Sequence, residues 1–496
     1  MLRKTSSFGL SALLLLASCN MAPTYQRPKG KISSEYPSDT GVKTQKSAYN
    51  VADLGWEDFF TDPRLKKLIE LTLANNRDLA GQLAAVVEAR GQYQVQNSAL
   101  FPQIYAGGSG MFQGPSDMAG FSFAPGSGRN ISTLRFYQTS IGFSSYEIDL
   151  WGRVRNMTRN QKEQTLNAAE NLRNFWITTV STLAETYIQW LSDRELLELA
   201  QKTYKTRKAT MELTQLNYDH GQADALTLAQ VTSQLEQAQS DIAQQTRAVA
   251  TDEHALQLIV GTSLPKDLPP PAPMGHQTMI ADLPAGLPSD LLEQRPDIQA
   301  AEHSLKGANA MIGAARAAFF PKVSITASEG TSSLQFRKLF SNMAETWGVS
   351  PNISIPLLTW GQNSGNLRSA KAHMIQTVTQ YQKTVQSAFK EVSDALTARE
   401  TYKIQDAHMT SLVRQSQKAY DLAYMRFRAG IDSYLTTLVQ ERQLYTDKQS
   451  KIIVQAARFQ NMVTLYRALG GGWSRKTPQS EPVSRQVVSV VSRAAH

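Results

Sequence analysis

The sequence predicts a mainly helical protein with a small β part, in which a unit of long coiled-coil helical hairpins and short strands occurs twice. Three observations support this fold class: landmarks that recur at fixed spacing, long segments without proline, and short runs of alternating apolar and polar residues. Gly221 follows Trp151 by 70 residues, and Gly430 follows Trp360 by the same distance. A chain that resembles itself in this way is interpreted first as two copies of one structural unit.

The two long segments predict helices well beyond the usual length in globular proteins. In the first copy, apolar residues recur every seven positions with a second set between them, which is typical of a coiled-coil seam. They are Trp176, Val180, Leu183, Tyr187, Trp190, Leu197, Tyr204 and Met211. In the second copy they are Val385, Phe389, Val392 and Leu396. Narrow seams need partner helices, but any long coiled-coil protein would show the same pattern.

Two glycines interrupt these helical patterns and predict the tips of helical hairpins. Gly221 and Gly430 lie where the turn requires a residue that tolerates positive φ. Asp224 follows the first tip and Asp432-Ser433 follows the second, and we expect them to cap the returning helices.

Short strands are predicted between the shorter and the longer helix of each copy. Helices end at Phe101-Pro102 and Phe320-Pro321, and proline is a permissible first residue of a strand. Trp151 and Trp360 mark the return to helix. The alternating apolar residues are Tyr137, Ile141 and Phe143; Val323, Ile325 and Ala327; and Val349, Ile353, Ile355 and Leu357. The stretches 114–129 and 330–341 are expected to be loops.

The alternation has two interpretations, a membrane barrel with water inside and a half-exposed soluble sheet. A spanning barrel needs at least about eight strands, and open strand edges are not tolerated in lipid. Because each chain supplies only four predicted strands, a membrane barrel would have to be shared between subunits.

The N-terminus has the pattern of a secretory signal peptide, predicted over residues 1–18. A charged start at Arg3-Lys4 precedes a short apolar stretch, and the ending Leu16-Ala17-Ser18-Cys19 matches a bacterial lipobox. Cys19 is the only cysteine of the 496 residues, so a disulfide within the chain is impossible. We expect Cys19 to carry a covalent lipid. Asn20 is not the aspartate that retains lipoproteins in the inner membrane, so sorting to the outer membrane is expected.

The remaining boundaries follow from composition and from the repeat. We predict a polar tether at 19–50, the first repeat at 51–263 and the second repeat at 289–473. A proline-rich linker at 264–288 separates the repeats, and a disordered tail follows at 474–496.

Several classes of function are disfavoured by the sequence. The net charge of +9 is spread along the helices, which argues against nucleic-acid binding. No apolar run reaches the 18 or so residues of a membrane-spanning helix. None of the seven histidines has a partner at metal-ligand spacing, and no Gly-x-Ser-x-Gly elbow occurs. We therefore expect no enzyme, no metal and no cofactor besides the lipid. A periplasmic coiled-coil adaptor or structural lipoprotein is the alternative of another class.

Five motifs together resemble the outer membrane factor family, the TolC-like channels, and in particular its NodT-type lipoprotein branch. They are Cys19 with Tyr25-Gln26-Arg27-Pro28, Asp149 to Arg153, Ser289 to Ile298, Ala314 to Pro321, and Leu469 to Trp473. The resemblance covers residues 22 to 473.

The resemblance implies a homotrimer, with one twelve-stranded barrel in the outer membrane and a periplasmic tunnel of coiled coils closed at its tips. It implies passive export of small molecules, received through a periplasmic adaptor from an RND-type inner-membrane pump. An exit duct for type I protein secretion is the alternative within this class.

The family pattern also implies a narrow point near the helix tips. Relatives often have an aspartate about nine residues after the second tip glycine, where this chain has Val439. The acidic residues left as gate candidates, beside Gly221 and Gly430, are Asp219, Asp224, Asp432 and Glu441. For each, a solvated charge at a helix tip is the alternative.

Overall fold

A computed structural model of the chain describes residues 20–28, 54–114, 134–276 and 295–471. The predictions for the signal peptide at 1–18, for Cys19 and for the tail at 474–496 lie outside the described residues. So do most of the tether at 19–50 and the second half of the linker at 264–288.

The described chain is mostly helical, as predicted. The helices are α1 Trp56–Phe59, α2 Pro63–Asn75, α3 Arg77–Ser98, α4 Arg153–Asp219, α5 Ala225–Val260, α6 Pro296–Ala317, α7 Gln362–Arg428 and α8 Tyr434–Ala468. Two short 3₁₀ turns, Met274–His276 and Phe336–Lys338, complete the helical elements. The two long helices α4 and α7 have 67 residues each, which confirms the internal duplication.

Four of the eight predicted heptad residues of α4 form a buried seam, and the other four, Trp176, Leu197, Tyr204 and Met211, are partly buried. Val180, Leu183, Tyr187 and Trp190 are each less than 5% exposed. In α7 the same pattern buries Val392 and Leu396. The seams are therefore covered within one chain over these stretches, because the returning helices supply the partners that a coiled coil requires.

The first repeat opens with three helices, because two polar residues interrupt the helix. Asp62 accepts backbone hydrogen bonds from Arg64 and Leu65 at the start of α2, with Pro63 as the first helical residue. Asn76 ends α2 in an extended conformation, and its side chain accepts a hydrogen bond from the Leu79 N–H at the start of α3. The α2–α3 break is therefore capped on both sides.

Four strands form one antiparallel sheet in the order β1-β2-β3-β4. They are β1 Tyr105–Gln113, β2 Leu134–Ile148, β3 Lys322–Ser333 and β4 Glu345–Ser354. The pairing of β2 with β3 joins the two copies and contains a bulge between Phe143 and Tyr146.

Two details of the strand prediction were wrong. Ile355 and Leu357 lie beyond the end of β4. The stretch 330–341 is only partly a loop, because β3 continues to Ser333. The pairing with β4 ends at Thr331 opposite Glu345, and Ser333 pairs with Tyr137 of β2. A 3₁₀ turn at Phe336–Lys338 then occupies part of the predicted loop.

The described residues fall into two compact units, and each draws on both copies. One contains 20–28, Val86–Ala168 and Ala301–Tyr381, and therefore the whole sheet; the other contains the hairpin tips. The core of the second unit includes Phe59 stacked on Tyr466, with ring centroids 4.0 Å apart. Tyr187 donates a hydrogen bond to the buried Asp62 in the same unit, at 2.8 Å.

The described half of the linker, 264–276, packs against the helices of the second unit and is not a free spacer. The Pro269 carbonyl accepts a hydrogen bond from Arg64, and the Met274 N–H donates to Glu195. Met274 itself is fully buried.

Candidate functional site

The four-stranded sheet has one apolar face and one small, polar face. Directly opposed residues of an antiparallel pair lie on the same face, so the register assigns every described position. The apolar face includes Phe112, Tyr137, Ile141, Phe143, Ile325, Ala327, Trp347, Val349 and Ile353. The other face includes Ser109, Gln138, Ser140, Ser324, Thr326, Ser328, Ser350 and Asn352. This division is the one that the alternation predicts.

Several large side chains of the apolar face are exposed in the single chain. Trp347 is 80% exposed, Val349 60% and Ile353 66%. A continuous exposed apolar surface of this kind marks a contact with lipid or with another protein. Toward the loop end of the strands the face becomes polar, where the hydroxyls of Thr139 and Thr331 lie 2.9 Å apart.

The outer strands leave two edges open. Within the described residues, β1 pairs only with β2 and β4 pairs only with β3. Unpaired strand edges are a liability in water and are not tolerated in lipid, so both edges need a further strand.

The predicted strand boundaries are placed differently in the two copies. Pro321 directly precedes β3, whereas Pro102 lies three residues before β1. Trp151 stacks on Phe320 with ring centroids 4.6 Å apart, and its Nε1 donates a hydrogen bond to the Pro321 carbonyl at 2.9 Å. Trp360 is 89% exposed and has a positive φ of 47°.

Both predicted hairpin tips have the expected conformation. Gly221 has φ of 72° and Gly430 has φ of 71°, a left-handed conformation that favours glycine. Asp224 caps α5 as predicted and accepts a hydrogen bond from the Thr227 N–H at 2.6 Å. This bond holds the pKa of Asp224 below its usual range, so the side chain is charged at neutral pH. Asp219 accepts from the Gln215 amide.

The expected capping role of Asp432 at the second tip was wrong. Ser433 occupies the N-cap position of α8 without a side-chain hydrogen bond to the helix. Asp432 instead forms an exposed ion pair with Arg426 of α7, with Nε and Oδ2 2.6 Å apart. The hydrogen bond from Arg426 lowers the pKa of Asp432.

The alternative for the tip residues was a solvated charge, and this alternative is wrong for Glu441. Its carboxylate accepts a hydrogen bond from Arg207 Nε at 3.0 Å, and the two side chains are only 12% and 3% exposed. Arg207 also donates to the Gln234 carbonyl of α5 and lies over the ring of Tyr445 in α8. This group of residues joins the first hairpin to the second.

Further residues connect the two hairpins near their tips. Tyr445 donates a hydrogen bond to Asp241 at 3.0 Å, and burial is the main reason that the pKa of Tyr445 is raised. Val231 of α5 packs with Tyr434 and Leu438 of α8. Neither Arg207 nor Asp241 stood out in the sequence, because each is one polar residue within a long polar helix.

A carboxyl pair on α4 and α5 also lacked a sequence signal. Asp252 lies beside Asp193, which is 9% exposed. The Oδ2 atom of Asp252 is buried and accepts no hydrogen bond from the residues that the structure describes. Burial, and then the neighbouring Asp193, raise the pKa of Asp252 to about 7.

The segment 20–28 is fixed along α6. Arg27 forms an ion pair with the buried Glu302 at 2.7 Å, and Tyr25 donates a hydrogen bond to the same carboxylate. Burial alone would raise the pKa of Glu302, but hydrogen bonds from Arg27 and Lys306 outweigh it and lower the pKa. At the other end of the segment, Asn20 accepts a hydrogen bond from Asn156 of α4 at 2.8 Å.

The described ranges have neither a metal-binding cluster nor a membrane-spanning helix. These ranges contain no group of three or more His, Cys, Asp or Glu side chains that could hold a metal ion. None of their helices combines the length and apolar character that crossing a membrane requires.

The chain matches the family model described as outer membrane efflux protein over residues 68–262 and 287–471. It is 39% identical over 468 residues to the toluene efflux pump outer membrane protein TtgC of Pseudomonas putida, covering 94% of this chain and 95% of the relative. The antibiotic efflux pump outer membrane protein ArpC of Pseudomonas putida has the same identity and coverage. This chain belongs to the outer membrane efflux protein family.

Solved structures of this efflux family have the same fold. The open state of the MtrE outer membrane channel of Neisseria gonorrhoeae is similar with a TM-score of 0.83 and 34% identity, covering 93% of this chain and all of that one. The efflux family assignment places the protein in the outer membrane and confirms the resemblance that the sequence motifs carried.

Proposed function

We propose that three copies of this chain form the outer-membrane exit duct of a tripartite efflux system, a passive conduit that carries out no reaction. The observation that carries the proposal is the two-faced sheet with two open edges, in a chain of the efflux family. Its apolar face suits lipid and its hydroxyl-rich face suits water.

The number of copies follows from the number of strands. One chain supplies four strands, and two chains would give a barrel of eight, whose interior is just filled by side chains. Twelve strands from three chains make the smallest closed barrel of this kind that leaves an open lumen. A homotrimer is therefore the assembly that the sheet supports.

The names of the relatives support small organic molecules as the exported substrates. TtgC is named for toluene and ArpC for antibiotics. We propose the same classes for this chain, delivered by an inner-membrane pump of the RND type through a periplasmic adaptor. The polar face of the sheet consists mainly of serine, threonine and glycine, which suits a conduit without strong selectivity.

We further propose that Cys19 is lipidated and anchors the protein in the outer membrane. The position of Asn20 supports this, because Asn20 packs beside Gly152, next to the strand-boundary residue Trp151. A lipid on the preceding residue would lie close to the membrane edge. In a Cys19→Ser variant we expect the mass of the lipid to be lost and membrane anchoring to weaken; an unchanged mass would refute lipidation.

The repeat boundaries at 51–263 and 289–473 remain our proposal, with the linker at 264–288, and two separate family matches support them.

We also propose that Asp219 and Asp224 supply negative charge at the tunnel tips, since Asp432 and Glu441 are engaged by arginines. Neutralising both as asparagine should lower the cation preference of the channel. An unchanged reversal potential in a salt gradient would exclude that role.

The test of the exit-duct function is a deletion of the gene, with complementation. We expect the deletion to raise susceptibility to toluene and to antibiotics, and the wild-type gene to restore tolerance. The control is deletion of the partner pump, which should give the same phenotype with no further effect in the double deletion. Unchanged susceptibility to all compounds tested would contradict the efflux role.

A further inference from the structure

The junction between the two copies within one chain has a defined side-chain contact. At this junction, β2 of the first copy pairs with β3 of the second. Beside it, Trp151 stacks on Phe320 and donates its Nε1 hydrogen to the Pro321 carbonyl. One tryptophan thus connects the strand-to-helix turn of one copy with the helix-to-strand turn of the next.

The same two turns occur again at the open edges of the sheet. Trp360 lies 209 residues after Trp151, and Phe101-Pro102 lies 219 residues before Phe320-Pro321. In the single chain Trp360 is 89% exposed and Phe101 is 63% exposed. Trp360 also has a strained φ of 47°, and such strain persists where surrounding contacts compensate for it. Both halves of the contact are present, but on opposite edges.

We infer that Trp360 of one copy stacks on Phe101 of the neighbouring copy and donates its Nε1 hydrogen to the Pro102 carbonyl of that copy. The inference rests on the proposed trimer and specifies how its subunits meet. The occupant of each open edge is a second copy of this chain, because internal duplication makes that edge equivalent to a junction already seen in the fold.

The register between the copies follows from the same equivalence. Tyr105 pairs with Gly142 in the first copy, and the equivalent Ser324 pairs with Asn352 in the second. The bulge in β2 therefore holds one residue that β4 lacks. The pairing of β2 with β3 is applied to the equivalent residues of β4 and of β1 in the neighbouring copy, with one pair taken from each side of the bulge. This places Ile353 opposite Gly108, and Leu357 opposite Ile104, of the neighbouring copy.

Two features of this ladder support the register. The two pairs derive from opposite sides of the bulge in β2. They nevertheless fit one continuous ladder between the copies, without a bulge. The ladder also places Val349 opposite Phe112 of the neighbouring copy, and both residues belong to the apolar face. A slip by one residue would place every apolar side chain on the wrong face.

The junction between copies differs from the internal one in its charge. Within the chain, Glu147 forms ion pairs with Arg153 and Lys322. The equivalent positions at the open edges are Pro356, Gln362 and Gln103, all uncharged. The contact between copies therefore depends on the aromatic stack and the backbone ladder, and we expect it to be insensitive to salt.

The tryptophan contact is tested with a double-mutant cycle on the temperature at which the purified oligomer dissociates in detergent. Trp360→Ala and Phe101→Ala should each lower it, and the double variant should be no worse than Trp360→Ala alone. The matched control combines Trp360→Ala with Phe320→Ala, whose effects should add. Additive effects of Trp360→Ala and Phe101→Ala would overturn the contact.

The register is tested by disulfide cross-linking across the edge. Ser109→Cys and Asn352→Cys together should form covalent dimers and trimers on oxidation, because opposed residues lie within disulfide range. Gln113→Cys with Asn352→Cys is the out-of-register control, and single variants control for Cys19. A trimeric mass without the expected cross-link would overturn the register and leave the proposed duct intact. A monomeric mass would overturn the proposed trimer itself.

Discussion

Arg207 and Glu441 show how a single pair of residues can hold two hairpins together. Arg207 is 3% exposed and has its hydrogen-bonding partners on both α5 and α8. Removing one member of a buried ion pair leaves the other charge without compensation, which costs more than the intact pair contributes. The pair therefore fixes the hairpin tips relative to each other.

We expect Arg207→Ala to destabilise the protein by about 3 kcal/mol, the usual scale for breaking a buried pair. The measurement is thermal unfolding followed by circular dichroism. Arg426→Ala is the matched control, because the ion pair of Arg426 with Asp432 is exposed and exposed pairs contribute little. Equal effects of the two substitutions would show that the burial of Arg207 is not decisive.

Asp252 makes stability depend on pH. Its pKa is raised to about 7, above its usual value, so the folded protein binds this proton more tightly than the unfolded chain. The contribution of protonated Asp252 to the free energy of unfolding is therefore fully present at acidic pH and is lost as the pH rises toward 7. Asp252→Asn should flatten the fall in unfolding temperature between about pH 4 and pH 7. An unchanged pH profile in this variant would exclude Asp252 as its source.

At the scale of single elements, the strands divide lipid-facing from water-facing residues. Val349 and Ser350 are neighbours on the edge strand β4, both exposed and on opposite faces. Val349→Lys should reduce insertion into the outer membrane, because lysine on a lipid face costs about 2–4 kcal/mol near the midplane. Ser350→Lys should insert normally. The measurement is the amount of protein in the outer-membrane fraction, and equal insertion would refute the assignment of faces.

The glycines that follow the ends of α4 and α5 differ in how tightly they are packed. Gly261 and Gly221 have similar positive φ values of 78° and 72°. A Cβ at Gly261 would lie 2.5 Å from the Asn75 carbonyl oxygen, whereas nothing lies within 4 Å at Gly221. Gly221→Ala should cost about 1–2 kcal/mol from backbone strain alone. Gly261→Ala should cost more, as measured by chemical unfolding, and equal costs would contradict the close contact.

At the scale of the whole molecule, the sequence predicted what depends on periodicity and repetition. The equal spacing of Trp151 and Trp360 from their tip glycines predicted both 67-residue helices to within two residues at each end. The alternation around Ile325 predicted the strands and their faces.

What the sequence did not predict depends on which helices lie side by side. Arg207 and Glu441 are 234 positions apart, and nothing in either helix indicates the other. The local sequence also suggested Asp432 as a cap, but its carboxylate forms an ion pair with Arg426 across the turn. The pairing of Arg207 with Glu441 is set by packing between distant segments of the chain and not by local propensity.

Single-channel conductance of the purified protein in a planar bilayer, recorded on material of known oligomeric mass, would show directly whether the chains form a shared channel. We predict a small, gated conductance from particles with the mass of three chains, because the shared barrel encloses water and the hairpin tips restrict it. A monomer without conductance would contradict the account. The alternating strands would then form a soluble sheet, and a periplasmic adaptor or scaffold would become the better interpretation.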